Sequence, residues 1–172
     1  MIIRDATDAD LAAIVAIFNH AVRTTTAVFS TLETDVAARA EWAAARRAKG
    51  FPVLVAEADG AVIGFASYGD FRSLPGYRLT VEHSVYVAPE AQRRGAGRAL
   101  LAALIDHGQA AGFHVMVGGI DADNAPSLAL HRALSFEETG RMAEVGAKFG
   151  RWLSLVFMQR ALDDRKAPPE AR

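Results

Sequence analysis

Residues 85–105, VYVAPEAQRRGAGRALLAALI, pass from an apolar strand-like run through a proline and the segment QRRGAG into an amphipathic helical run. Glycine lets backbone amides approach a ligand closely. A helix N-terminus presents unpaired N–H donors at the positive end of the aligned peptide dipoles, so this junction suits an anionic group. With RRGAGR read as the first helical turn, Arg93, Arg94 and Arg98 add side-chain charge, and a pyrophosphate fits the arrangement. A glycine-eased turn with solvated arginines accounts equally well for the spacing taken alone. Two other phosphate chemistries are excluded. A P-loop requires Lys and then Ser or Thr after its second glycine, whereas Gly95 is followed by Ala96, Gly97 and Arg98. A dinucleotide fold requires a further glycine where Leu100 stands.

Working outward, strand and helix patterns alternate. IIR near the N-terminus reads as a short strand, and Leu11, Ile14, Val15, Phe18 and Val22 share one face of a helix opened by Thr7 or Asp8. RTTTAVFSTLET reads as a loop, and DVAARAEWAAARRAKG as a second helix stopped by Gly50 and Pro52. Two apolar runs joined through Asp59-Gly60 predict a β-hairpin. The loop FRSLPGYR leads to the strand LTVEHSVYV, and after the glycine segment FHVMVGGI reads as a buried strand. DADNAPSLALHRALSF reads as a short helix begun near Asn124, and RWLSLVFMQRAL as a last strand. The expectation is one α/β domain over residues 1–162, with a mixed, mostly antiparallel central sheet flanked by helices. DDRKAPPEAR, residues 163–172, has no apolar content to bury and is expected to be a frayed, disordered tail.

Composition narrows the function. The chain has 172 residues, 51% hydrophobic and 23% charged, as an ordinary globular domain does. Nineteen Lys and Arg against twenty Asp and Glu leave a net charge of −1, which argues against nucleic acid as a partner. There are no cysteines, so a thiolate nucleophile and Cys-ligated zinc are excluded. No run approaches the roughly 20 apolar residues of a membrane span, and no signal-peptide pattern opens the chain, so a soluble cytoplasmic protein is expected. His20, His107 and His114 show no metal-ligand spacing, and no metal is implied.

Gln92-Arg93-Arg94-Gly95-Ala96-Gly97 resembles the Q/R-x-x-G-x-G/A signature of the GCN5-related N-acetyltransferases. The resemblance implies that Arg93, Arg94, Gly95, Ala96, Gly97 and Arg98 hold the pyrophosphate of acetyl-CoA, and that Val85, Tyr86 and Val87 pair through their backbone with its pantetheine arm. Asn124, Ser127, His131 and Phe136 keep the spacing of a second element on the CoA side. His131 stands where the family often has a tyrosine, and is the candidate acid for the departing thiolate, with a helix histidine that caps nothing as the alternative. TTTAVF, FASYGDFR, TVEHSVYV, LHRALSF and VGAKFGRWLSLVFMQ resemble the phosphinothricin and methionine sulfoximine or sulfone N-acetyltransferase subfamily, most closely its methionine-derivative branch. Homodimerisation is implied in the same way.

Transfer of an acetyl group from an activated thioester to an amine asks mainly for alignment and removal of a proton. Glu82 is the first candidate base and resembles the subfamily's catalytic glutamate; an exposed strand carboxylate paired with an arginine is the alternative. His83, next along the strand, points to the opposite face and reads either as a weaker base candidate or as a packed histidine. Arg72, with Arg78 as a second candidate, suits bidentate recognition of the acceptor's carboxylate. Ser73, Leu74, Glu82, His83 and Ser84 complete the expected acceptor contacts. Phe29 and Phe71 are candidate walls, with ordinary loop packing the alternative. Lys148 and Arg151 serve either the site or a dimer contact. Acetylation of a protein or peptide N-terminus, and non-enzymatic binding of acetyl-CoA, stand as the rival functions.

Overall fold

The computed structural model describes residues 1–170. Its elements are β1 (Ile2–Asp5), α1 (Leu11–Thr24), α2 (Val36–Ala48), β2 (Val53–Ala58), β3 (Ala61–Asp70), β4 (Thr80–Val87), α3 (Ala96–Ala110), β5 (Val115–Asp121), α4 (Ala125–Ala133), β6 (Glu137–Lys148) and β7 (Arg151–Ala161). Local chemistry sets the starts of the helices. Asp35 accepts from the Ala38 amide at 2.8 Å to cap α2, and Asn124 accepts from the Ser127 amide at 3.1 Å to cap α4. Thr7 and Asp10 hold each other through the Thr7 amide and hydroxyl in the turn that precedes α1.

One seven-stranded sheet runs in the order β1-β2-β3-β4-β5-β7-β6. Only the β4–β5 pair is parallel, with α3 as its crossover; every other pair is antiparallel. On one face, Leu100, Leu101 and Leu104 of α3 are fully buried against Tyr68, Val81, Met116 and Met158. On the other, Leu11, Ile14 and Ile17 of α1 and Ala43 of α2 cover Val53, Val55 and Phe65.

Two readings of the sequence are revised here. The segment Glu137–Lys148 carries few apolar residues and shows no strand pattern in the sequence, yet it forms the edge strand β6, exposed along nearly its whole length and bulged between Met142 and Gly146. An edge strand packs little, so alternation is a weak signal there. The tail expected after Leu162 is tied back: His114 pairs with Asp163 at 2.7 Å, Arg165 donates to the Gly112 carbonyl at 2.8 Å, and Arg78 donates to the Pro169 carbonyl at 2.8 Å. Polar anchors replace the apolar ones that its composition lacks. Ala171 and Arg172 lie outside the described residues.

Candidate active site

β4 and β5 pair only from Thr80–Val115 to Glu82–Val117. Beyond that point β4 stays with β3 as far as Val87, and β5 stays with β7 as far as Asp121. The two strand ends therefore diverge as the sides of a V. A cavity of about 850 Å³ opens between them, walled by Ser84, Val85, Tyr86 and Val87 on one side and Gly119 and Asp121 on the other. Thr24–Ala27 and α4, through Asn124, Ser127 and His131, close it.

At the wide end the chain turns through Arg93 and Gly95, both left-handed at φ 60° and 86°. These conformations delay the helix: α3 begins at Ala96, so Arg93 and Arg94 belong to the turn before it rather than to its first turn, as the sequence suggested. Among the described residues no side chain caps α3. The amides of its first turn thus lack intrahelical acceptors and open toward the cavity. Gly95, Ala96, Gly97, Arg93 and Arg98 line it; Arg94 is exposed and stands outside the wall. A Cβ on Gly95 would meet nothing within 4 Å, so the glycine is needed there for its backbone angle rather than for room.

At the apex, His83 and His131 are 7% and 4% exposed and stack at 5.0 Å, with Phe136 edge-on to both. His131 Nδ1 lies 2.7 Å from the Ser127 carbonyl. A carbonyl only accepts, so Nδ1 carries the proton and Nε2 of the neutral ring is a lone pair. His83 Nε2, 3.1 Å away, must then donate to it, which leaves the buried His83 Nδ1 as an acceptor with no partner among the described residues. Burial, and secondarily the neighbouring His131, pushes the His83 pKa down to about 3; burial lowers that of His131 too. The acid role expected of His131 needs a proton facing the cavity, and this arrangement directs its only proton to Ser127. Gly118 makes the stack sterically possible: a Cβ there would fall 2.7 Å from His83 Nε2 and 3.2 Å from His131 Nε2.

Glu82 points to the opposite face, as strand alternation requires. Its Oε1 lies 3.3 Å from where a Gly119 Cβ would stand, a position also bordered by Leu155 and Phe157 of β7. Burial raises the Glu82 pKa and Arg72 opposes the shift from 4.0 Å. Arg72 stacks on Phe71 at 4.1 Å, and Phe71 meets Tyr77 and Phe157 edge-on. Arg72 and Glu82 stand outside the cavity wall, as do Ser73 and Leu74, exposed in the same loop; Ser84 lies on the wall, and Arg78 is occupied by Pro169. Phe29 packs on Gly146, where a Cβ would come within 2.5 Å of its ring.

Sequence reasoning did not find Gly118, Gly119, Leu155, Phe157 or the contact between the Thr26 hydroxyl and Asp121. Adjacent glycines inside the buried run VMVGGI were the available signal, since glycine within a strand marks close approach of another group.

A split parallel strand pair with an uncapped, glycine-led helix at its open end and a half-buried carboxylate at its last paired residue is an arrangement suited to acyl transfer. The acetyltransferase (GNAT) family model matches residues 14–136, and the chain belongs to that family. It is 52% identical over 168 residues to the L-methionine sulfoximine/L-methionine sulfone acetyltransferase of Salmonella typhimurium, covering 98% of each chain. A Salmonella typhimurium structure with its cofactor acetyl-CoA superposes with a TM-score of 0.97 at 51% identity, covering 99% of this chain and 98% of that one. A ribosomal-protein-alanine N-acetyltransferase structure from Brucella melitensis superposes at 0.92 with 50% identity, covering 94% and 99%.

Since the His pair has depressed pKa values, the folded protein binds fewer protons than the unfolded chain below about pH 6.5, and acid removes stability there. We expect the imidazole ¹⁵N resonances of His83 to keep neutral-ring shifts from pH 7 down to pH 5, and those of His131, as the Nδ1–H tautomer, to titrate below the ordinary histidine value. A midpoint near 6.5 for either ring would refute the assignment.

Proposed function

We propose that the protein transfers the acetyl group of acetyl-CoA to the α-amino group of a small amino-acid analogue, methionine sulfoximine or methionine sulfone first, in a ternary complex. The observation that carries this reading is Glu82: a half-buried carboxylate at the last pair of the strand split, 4.0 Å from Arg72 and bordering the same space as Leu155 and Phe157. An amino acid has the matching parts, with an ammonium for Glu82, a carboxylate for Arg72 and a side chain for the apolar wall. The pyrophosphate is assigned to the amides of the first turn of α3 with Arg93 and Arg98, and the pantetheine arm to the free edge of β4 at Val85–Val87. Asn124 has its carboxamide oxygen engaged in the α4 cap, leaving its Nδ2 group for the donor.

Glu82, with its pKa raised, takes the proton from the bound ammonium, directly or through a water. The freed nitrogen lone pair attacks the thioester carbon, forming the C–N bond. As the tetrahedral intermediate collapses the C–S bond breaks, and the second amine proton passes to the departing sulfur, giving the N-acetyl product and free CoA thiol. The neutral His83–His131 pair borders this step as a packed, uncharged wall, which avoids placing a competing cation beside the reacting centre.

Acetyl transfer is expected with methionine sulfoximine and methionine sulfone, with phosphinothricin a poorer acceptor. Arg72→Ala should raise the acceptor KM about tenfold, the loss of one charge-assisted contact, and leave the acetyl-CoA KM within a small factor. Higher kcat/KM on alanine-terminated peptides, tested because of the Brucella melitensis likeness, would favour the protein N-terminus instead. CoA binding without turnover on any amine would favour a non-enzymatic module.

Glu82→Gln keeps the shape and removes the basicity. We expect kcat at neutral pH to fall by about 10²–10⁴-fold with acetyl-CoA binding retained. In the wild type, activity should rise with pH as Glu82 deprotonates, and the deficit of the variant should shrink at high pH, where more acceptor arrives neutral. A variant with near-normal kcat at neutral pH would pass the role to a held water.

Homodimerisation is proposed on the β6–β7 hairpin, where Met142, Val145, Phe149 and Trp152 are 48%, 47%, 55% and 67% exposed, a concentration of apolar side chains at one edge. Sedimentation of the wild type should give the dimer mass and Trp152→Asp should shift it toward monomer. A monomeric wild type at micromolar concentration would end the proposal.

A further inference from the structure

Lys148, the last residue of β6, is 3% exposed, and among the described residues no carboxylate lies within ion-pair distance of it. Burying an ammonium costs several kcal/mol unless hydrogen bonds and charge compensate it. What Lys148 has instead are two backbone carbonyls from the other end of the chain, Thr25 at 2.7 Å and Val28 at 2.8 Å, with the Phe149 ring 5.0 Å from Nζ. Both carbonyls belong to the loop between α1 and α2, whose first residues wall the cavity.

The same short loop is pinned elsewhere. The Thr26 hydroxyl donates to Asp121, itself 3% exposed at the end of β5. Asp121 and Gly119 stand two apart on one strand and so share a face, the face on which Glu82 lies. Asn19 exchanges two hydrogen bonds with the Thr34 backbone, at 2.8 and 2.9 Å, and closes the far end. Phe29, one residue beyond the Val28 carbonyl, rests its ring on bare Gly146, two residues before Lys148.

We propose that Lys148 is a positioning residue for the acceptor: by fixing the Thr25 and Val28 carbonyls it seats Phe29 on Gly146 and holds the α1–α2 loop as a rigid wall on Glu82's side of the cleft. The ammonium acts through the loop and touches neither substrate. This rests on the acceptor reading given above. It goes further in assigning the buried charge an effect on one of the two substrates, since the Thr26–Asp121 contact sets this loop on Glu82's face of the sheet.

The test is steady-state kinetics on Lys148→Met, Phe29→Ala and the double variant, varying methionine sulfone at saturating acetyl-CoA and then the reverse. Lys148→Met should raise the acceptor KM by about tenfold, with the acetyl-CoA KM within about twofold of wild type. In the Phe29→Ala background the same substitution should add little, because both act on one wall. Additive effects, an equal rise in the acetyl-CoA KM, or a lowered Tm with an unchanged acceptor KM would each overturn the proposal. If Lys148→Met does not fold, Gly146→Ala disturbs the same seat from the other side, and an unchanged acceptor KM there is equally fatal. A wild type inactive on every amino-acid acceptor overturns this proposal together with the function it rests on; an active wild type with an indifferent Lys148→Met overturns this one alone.

Discussion

The parting of β4 from β5 after the Glu82–Val117 pair is the constraint on which the rest of the molecule depends. A parallel pair buried on both faces normally continues for the length of both strands, because each unpaired amide or carbonyl costs a hydrogen bond. Here the ladder stops where His83 and His131 lie against Gly118, and the two strands then follow their outer neighbours. The opening leaves a free backbone edge facing the cavity, a binding surface for an extended ligand arm. The helix that crosses from β4 to β5 must start at that opening, and this places its N-terminus at the cavity rim.

Charge is distributed along the cleft in a consistent order. Peptide dipoles and two arginines make the wide end positive, the stacked histidines keep the apex wall neutral, and Glu82 with Arg72 forms a loose pair on the opposite face of β4. Burial does most of the tuning. It disfavours the charged form of each group, raising the carboxylate's pKa and lowering that of both imidazoles. One carboxylate whose protonated form is favoured by burial therefore lies on one face of β4, and two rings held in the neutral form lie on the other.

The loop that closes the cavity is held by long-range pins rather than by regular structure. The α1–α2 loop contains no helix or strand, yet it is tied to β5, to β6 and back to α1. The C-terminal segment is treated alike, its polar side chains anchoring it to the β4–β5 end of the sheet. Both segments look loose by composition and are ordered by contacts more than a hundred or about fifty residues away in sequence.

What the sequence by itself determined was whatever depends on neighbours along the chain. The apolar periods of α1 and α3, the Asp59-Gly60 turn, the caps at Asp35 and Asn124, the glycine segment at residues 92–97 and the opposed directions of Glu82 and His83 are all of that kind. The tertiary structure alone decided the features made by groups distant in sequence. It set the strand order that inserts β7 between β5 and β6, and the pairing of His83 with His131 that fixes their tautomers and removes the acid proton expected of His131. It also placed Leu155 and Phe157 beside Glu82, and brought the ammonium of Lys148 under the Thr25 and Val28 carbonyls. Local preference is written in spacing and residue type. A buried proton or a buried charge is governed by which groups surround it once water is excluded, and only the folded chain specifies those groups.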